Sequence, residues 1–268
     1  MDTIPFVVPS EHGIKARFRQ LIFGVHPRCP RCQRQNVRVV ANRYHCRSCR
    51  RKFSLTSGTW LAGMKLSWTQ LWILLWCFCH RYQPRQAASL AEVTLKSART
   101  WYGRFRTQLP ERGRVLRLHV VADEGYFGKR RTGNQRIVAG ALEPRSKEVR
   151  LRMIPDTEQD SIERFLWDHV SLQTMVWTDA HKSYGDIAWM GYGHDWEIHE
   201  RGQFGKTSPI ERVWSFSKWL TRRMYHHVWA ENLPHSLREI EWRFSAPGTF
   251  ASPLTLAEIL LRPVPRSD

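Results

Sequence analysis

Asp123, Asp179 and Glu211 are the residues of this 268-residue chain whose types and spacing could do chemistry together. Asp123 follows the apolar stretch 116–122 and sits in VVADEGYFG; Asp179 follows the short stretch 174–177 and sits in VWTDAHKSYG. Both stretches read as strands. Glu211 opens TSPIERVWSFSK, which reads as a helix. Gaps of 55 and then 31 residues suit carboxylates that are remote in sequence and can meet at strand ends and a helix start. Three such groups make an all-oxygen site for Mg²⁺ (or Mn²⁺), which prefers hard anionic ligands. Two such ions can clamp the attacking and leaving oxygens of a phosphodiester, which is phosphoryl-transfer chemistry. Lys218, seven residues after Glu211, shares its helix face and is placed to contact a phosphate beside the metals.

Each acid also has a purely structural reading. Asp123 would serve as a turn residue before Gly125, and Asp179 as the N-cap of a helix over 180–189. Ser208-Pro209-Ile210-Glu211 has the S-x-x-E spacing of a capping box, with Pro at the first helical position. What favours chemistry is the combination: two aspartates at successive strand ends, then a glutamate with a lysine two turns on.

The elements that must position these acids form a mixed α/β segment. RVLRLHVVAD reads as a strand ending at Asp123. Residues 134–143 and 148–155 read as its antiparallel neighbours, joined by the turn PRSK. DTEQDSIERFLWDHV carries Ile162, Phe165, Leu166 and Val170 at helical spacing. TMVWTD is then a further strand. The spacings of Trp214, Trp219 and Trp242 point to core positions. Tyr126 and Tyr184 read mainly as packing residues beside the carboxylates, and His181 and His199 mainly as surface groups, with base stacking and proton shuttling as the respective alternatives.

Charge is distributed unevenly. Residues 1–110 hold 19 Lys/Arg against Asp2, Glu11 and Glu92, a net +16, whereas 111–268 carry a net +2. That asymmetry points to a basic arm for a polyanion on a near-neutral globular domain. The N-terminus lacks a secretory pattern, and the longest apolar run, 71–79, has nine residues against the roughly 20 that a bilayer needs. The expected place is the cytoplasm, on the nucleoid.

Cys29-Pro30-Arg31-Cys32 and Cys46-Arg47-Ser48-Cys49 are separated by 13 residues. Each pair brings two thiolates to one side of a tight turn, and two pairs make a tetrahedral site for one structural Zn²⁺. VRVVANRYHC between them reads as a hairpin turning near residues 41–42, with RRKFSL as a further strand: a zinc ribbon. Cys77 and Cys79 read as packed hydrophobes. Beyond it, Ser67 caps a helix ending near Arg81, Pro84 begins a short second one, and Thr94 caps a third. This helix-turn-helix-like unit would present Lys96, Arg99, Arg104 and Arg106 on the polar side of its third helix, as a recognition helix does. The expected divisions are an N-terminal arm and ribbon over 1–58, the helical unit over 59–112, the α/β catalytic domain over 113–250 and a tail over 251–268.

These motifs, in this order, resemble the zinc-ribbon insertion-sequence transposases of bacteria and archaea (DDE type, ISXO-like group). The resemblance rests on Asp123-Glu124-Gly125-Tyr126-Phe127-Gly128, Thr178-Asp179 with Tyr184, Ile210-Glu211 with Trp214 and Lys218, Tyr225-His226-His227-Val228, and Glu239 with Trp242-Arg243-Phe244. It implies a ribonuclease-H-like catalytic fold and a triad of Asp123, Asp179 and Glu211 holding two Mg²⁺. The implied partners are double-stranded DNA, as terminal inverted repeats and target, and further copies of the chain pairing two ends. Ser208 stands where members of this group often carry Asn, which some use as third ligand; that moves the third position to Glu211, with Thr207 or Ser208 left to assist through water. A DNA-binding regulator derived from a transposase, or a metal-dependent nuclease, are the alternative readings.

Overall fold

The computed structural model describes residues 6–41, 43–113, 115–128, 131, 133–197, 205, 207–225 and 230–262. The chain divides into two compact units, 1–110 with 250–268, and 111–249.

In the first unit, α1 (Glu11–Phe23) is capped by Ser10 and buries Ile14 and Phe18 one turn apart. Its Glu11 carboxylate accepts from the Trp68 and Thr69 amides, both at 2.7 Å, and so caps another helix. The ribbon is a three-stranded antiparallel sheet in the order β1 (Val37–Val40), β2 (Arg43–Cys46), β3 (Lys52–Phe53). Val40 pairs with Arg43, so the hairpin turns directly after Val40, with Ala41 in the left-handed region at φ 52°.

Then α2 (Trp68–Cys79) starts from a complete Ser67–Gln70 capping box. Helix α3 (Pro84–Leu90) and α4 (Leu95–Gln108, capped by Thr94) are joined by four residues, with Glu92 at φ 51°. That is the short turn a helix-turn-helix needs. Cys77 and Cys79 are buried, as expected, and burial pushes the Cys77 thiol up to about 12.

The second unit is a five-stranded mixed sheet in the order β6–β5–β4–β7–β8. Strands β4 (His119–Phe127), β5 (Arg136–Glu143) and β6 (Glu148–Ile154) form an antiparallel meander. Helix α5 (Gln159–His169) crosses to β7 (Met175–Asp179), parallel to β4, and β8 (Gly193–Glu197) lies parallel to β7. This is the ribonuclease-H-like sheet that the motifs imply. Val120, Ala122, Ala139, Ala141 and Val176 pack with Ile162, Phe165 and Leu166 of α5 on one face. Helix α6 (Ser208–Met224) covers β4 and β5 on the other. Helix α7 (Leu233–Ser245) runs along the outer strand, where Glu241 and Ser245 accept from the Leu151 and Val149 amides at 2.7 and 3.1 Å. Those two amides would otherwise be an open sheet edge, a template for aggregation.

Three expectations change. Strand β4 does not end at Asp123 but continues to Phe127, because β5 pairs with it that far. Residues 180–189 hold a 3₁₀ turn at Lys182–Tyr184 in place of an α-helix. There the His181 amide donates to Asp179 Oδ1, the Ser183 amide donates to His181, and the Ser183 hydroxyl donates to the Thr157 carbonyl. Such side-chain bonds compete with the helical ladder. The stretch read as a tail folds as α8 (Pro253–Leu260), packed with α2. No helix among the described residues is long and apolar enough to cross a membrane.

A Cβ added at Gly140 would lie 2.6 Å from the Trp214 ring, and one at Gly125 equally close. Neither the indole nor the sheet can yield cheaply. Gly140→Ala is therefore expected to lower stability by about 1–3 kcal/mol, the usual cost of overpacking, measured by denaturant unfolding.

Candidate active site

Parallel pairing between β4 and β7 runs from His119↔Met175 to Val121↔Trp177 and stops there. Asp123 and Asp179 each lie two residues past that last pair. They occupy equivalent positions on the same face of adjacent strands, where the strands part. Asp123 is thus mid-strand with respect to β5 yet at the end of its pairing with β7. A pleat repeats every two residues, so this placement follows from the register alone.

Glu211 approaches from α6. Ser208 is the first residue of that helix and Thr207 its N-cap, with no side chain capping it. The S-x-x-E capping box is therefore not formed, and Glu211 is exposed. One turn on, Trp214 is buried with its ring over Gly125 and Gly140, and its Nε1–H donates to Asp123 Oδ2 at 2.8 Å. The Thr207 amide and hydroxyl donate to Glu197 Oε2 at 3.0 and 2.9 Å. Glu197 is the register partner of Asp179 on β8. The Thr207 hydroxyl is thereby engaged.

Burial holds the Asp123 carboxyl above the usual range; the Trp214 bond opposes this, and the charges of Asp179 and Glu211 add to it. Asp123 feels the charges of Asp179 and Glu211, although the three acids are not gathered as tightly as the cysteine sulfurs described below. Their all-oxygen donor set and mutual repulsion fit a hard divalent cation, which supplies the missing positive charge. Glu124 points to the opposite face of β4, where it accepts from the Tyr184 hydroxyl. Burial, with the charges of Asp123 and Asp179 behind it, pushes Glu124 up to about 7. Sequence reasoning gave no role to Glu124, Glu197 or the Trp214 indole N–H.

Other residues sort plainly. Tyr184 is buried and Tyr126 is 47% exposed. Trp219, expected in the core, is also 47% exposed, because α6 turns that face outward. The Arg112 guanidinium lies 4.7 Å from the Trp242 ring centroid. Tyr225 and Arg243 both donate to buried Glu239 at 2.7 Å, so the second half of the motif set joins α6 to α7. His181 is exposed; His199 and 226–228 lie outside the described residues. Lys218 is exposed on α6, and Lys96, Arg99 and Arg104 on α4, with Arg104 4.8 Å from the Trp101 ring centroid; Arg106 is half-buried.

The sulfurs of Cys29, Cys32, Cys46 and Cys49 all lie within 4.8 Å of one another. Cys29–Cys49 and Cys32–Cys46 are separated by 3.5 and 3.6 Å, near the edge of about 3.8 Å that a tetrahedron with Zn–S bonds of about 2.3 Å requires. The two knuckles match. In each the first cysteine amide donates to the carbonyl five residues on, Cys29 to Arg34 and Cys46 to Arg51. In each the residue after the second cysteine is left-handed, Gln33 at φ 58° and Arg50 at φ 60°. Backbone amides of Cys49 and Ser48 aimed at Cys46 lower its thiol to about 6, which favours the thiolate a metal needs. Among the described residues no other group of three or more His, Cys, Asp or Glu is gathered this closely.

No curated protein matches the chain. Similar solved structures include the catalytic core domain of BIV integrase (13% identity, 47% of this chain and 81% of that one, TM-score 0.32). Another is a simian T-cell lymphotropic virus intasome with the PP2A regulatory subunit B56 gamma (12%, 64% and 67%, TM-score 0.36). A third is the HTLV-2 integrase catalytic core with magnesium (11%, 49% and 87%, TM-score 0.32). Residues 116–245 match the family model described as the ISXO2-like transposase domain. That span holds the whole sheet and all three acids, and over it the chain is similar to the ISXO2-like transposase domain.

Proposed function

We propose that the chain is an active transposase that cuts and joins DNA at the ends of its own element. The observation that carries this reading is the placement of Asp123 and Asp179 at matched positions of two parallel strands, with Glu211 one helical turn from the indole that bonds Asp123. Asp123, Asp179 and Glu211 would hold two Mg²⁺ or Mn²⁺ ions, which supply charge stabilisation to the attacking and leaving oxygens. The protein's own part is positioning: it fixes the carboxylates, aligns the scissile phosphate by Lys218 and keeps the DNA in register. No covalent intermediate with the protein is needed. Water attacks first to nick the strand, and the freed 3′-OH then attacks target DNA.

Binding of terminal inverted repeats is assigned to the basic first unit, with zinc holding the ribbon and α4 as the reading helix. Two ends must be brought together, so the working form is a dimer or larger assembly on paired DNA, at the nucleoid of the cytoplasm. Removing two phosphate contacts, Lys96 and Arg99, by alanine is expected to weaken DNA binding and to lower the slope of log affinity against log salt by about 2. An unchanged slope in a filter-binding series would remove α4 from the interface.

The reading is tested by incubating the full chain with labelled end DNA, a target plasmid and Mg²⁺. Joined end–target products are expected. Nicking without joining leaves a nuclease, and binding with neither leaves a regulator.

A further inference from the structure

Helix α6 is fastened on both sides of Glu211. At its start, Thr207 gives its amide and its hydroxyl to one oxygen of Glu197. Glu197 is 4% exposed and sits at the end of β8 beside Asp179. Four residues past Thr207 comes Glu211, and three further Trp214, whose Nε1–H bonds Asp123 Oδ2. The Trp214 ring occupies a dent that two glycines on neighbouring strands leave open, Gly125 on β4 and Gly140 on β5. The first fastening refers the helix to the strand next to Asp179, the second to Asp123 itself. Glu211 lies midway along the two helical turns between them and is exposed.

We propose that Glu197 and Trp214 are positioning residues that set Glu211 against the two aspartates, so that all three carboxylates can reach the same divalent ions. This rests on the reading of Asp123, Asp179 and Glu211 given above. The Trp214 bond has a second consequence. It occupies one oxygen of Asp123 and orients the carboxylate; a ligand held this way costs less ordering when metal arrives.

Three conservative variants of the full chain separate positioning from folding. Trp214→Phe keeps an aromatic ring over the glycines and loses the N–H. Thr207→Val keeps the shape of Thr207 and loses the hydroxyl. Thr207→Ser restores the hydroxyl. Calorimetric titration with Mn²⁺ in the absence of DNA is the primary measurement, with thermal unfolding alongside and Mg²⁺ dependence of end-DNA nicking as a second readout. Trp214→Phe and Thr207→Val are each expected to weaken Mn²⁺ binding and raise the Mg²⁺ needed for half-maximal nicking by about tenfold, the usual effect of losing a group that orients a ligand. Thr207→Ser is expected to behave as the parent chain. In a Glu211→Gln background Thr207→Val is expected to add little further loss, because it acts through Glu211, whereas Trp214→Phe, which also frees Asp123, keeps part of its effect; a general loss of structure would add in full for both. Wild-type Mn²⁺ binding in both Trp214→Phe and Thr207→Val overturns the proposal, as does full additivity of Thr207→Val with Glu211→Gln. If Glu211→Gln itself binds Mn²⁺ and nicks normally, the assignment of Glu211 fails instead, and the positioning proposal falls with it.

Discussion

Asp123→Asn and Asp179→Asn each reduce strand cleavage by on the order of 10³-fold or more, because the bound ions supply several kcal/mol of transition-state charge stabilisation. The fold offers no reason for either variant to unfold. Asn at 123 keeps an oxygen for the Trp214 N–H, and Asn at 179 keeps one for the His181 amide. Burial and neighbouring acids already hold the Asp123 carboxyl above its usual range, so removing its charge relieves repulsion. Stability should stay level or rise, and DNA binding in metal-free buffer should stay level or tighten, since an anion facing phosphate is gone. The measurement is single-turnover cleavage of end DNA beside a binding titration of the same preparations. Cleavage that persists within tenfold in either variant contradicts the assignment.

Cys46→Ser empties the zinc site and unfolds the ribbon. The ribbon core consists of Cys29, Tyr44, Cys46, Phe53 and Leu55, so two of its five buried residues belong to the four-cysteine cluster that would hold the metal. Its third strand has two residues. A module this small depends on metal, whose binding contributes about 10–16 kcal/mol in comparable sites. Elemental analysis should show about one zinc per parent chain and much less in the variant. Protease should then cut within 29–53, and DNA affinity should fall by about tenfold or more as phosphate contacts from the arginine-rich ribbon are lost. A zinc-free variant with a protease-resistant ribbon and normal DNA affinity would show that the four thiols have another purpose.

How much of this was legible beforehand depends on how local each feature is. The cysteine knuckles, the Ser67 and Thr94 caps, β5 and β6 are written in spacings of a few residues, and the structure has them where the sequence places them. Helix α1 was missed because only Ile14 and Phe18 are fully buried on it, too thin a stripe to stand out among charged residues. Strand β8, GHDWE, carries no apolar alternation, since it lies at the sheet edge. Residues 180–189 have helical composition, but Asp179, His181 and Ser183 turn the backbone to other partners.

The candidate site divides along the same line. Which acids matter can be argued from residue types and order. How they are held cannot: the Trp214–Asp123 bond spans 91 residues and depends on the β4–β5 register placing Gly125 and Gly140 under one ring. Glu197 reads as an ordinary surface acid until β8 is known to end beside Asp179. Glu124, next to Asp123 in sequence, turns to the far side of the sheet because neighbours along a strand alternate faces, and there it meets the Tyr184 hydroxyl.

The most direct measurement of the central claim is the anomalous diffraction of Mn²⁺ soaked into crystals of the chain bound to end DNA. The account predicts manganese peaks within ligand distance, about 2.2 Å, of Asp123 and Asp179, with Glu211 completing the site and the scissile phosphate between the ions. Manganese bound elsewhere, or an ordered phosphate at these acids with no manganese beside it, would contradict it.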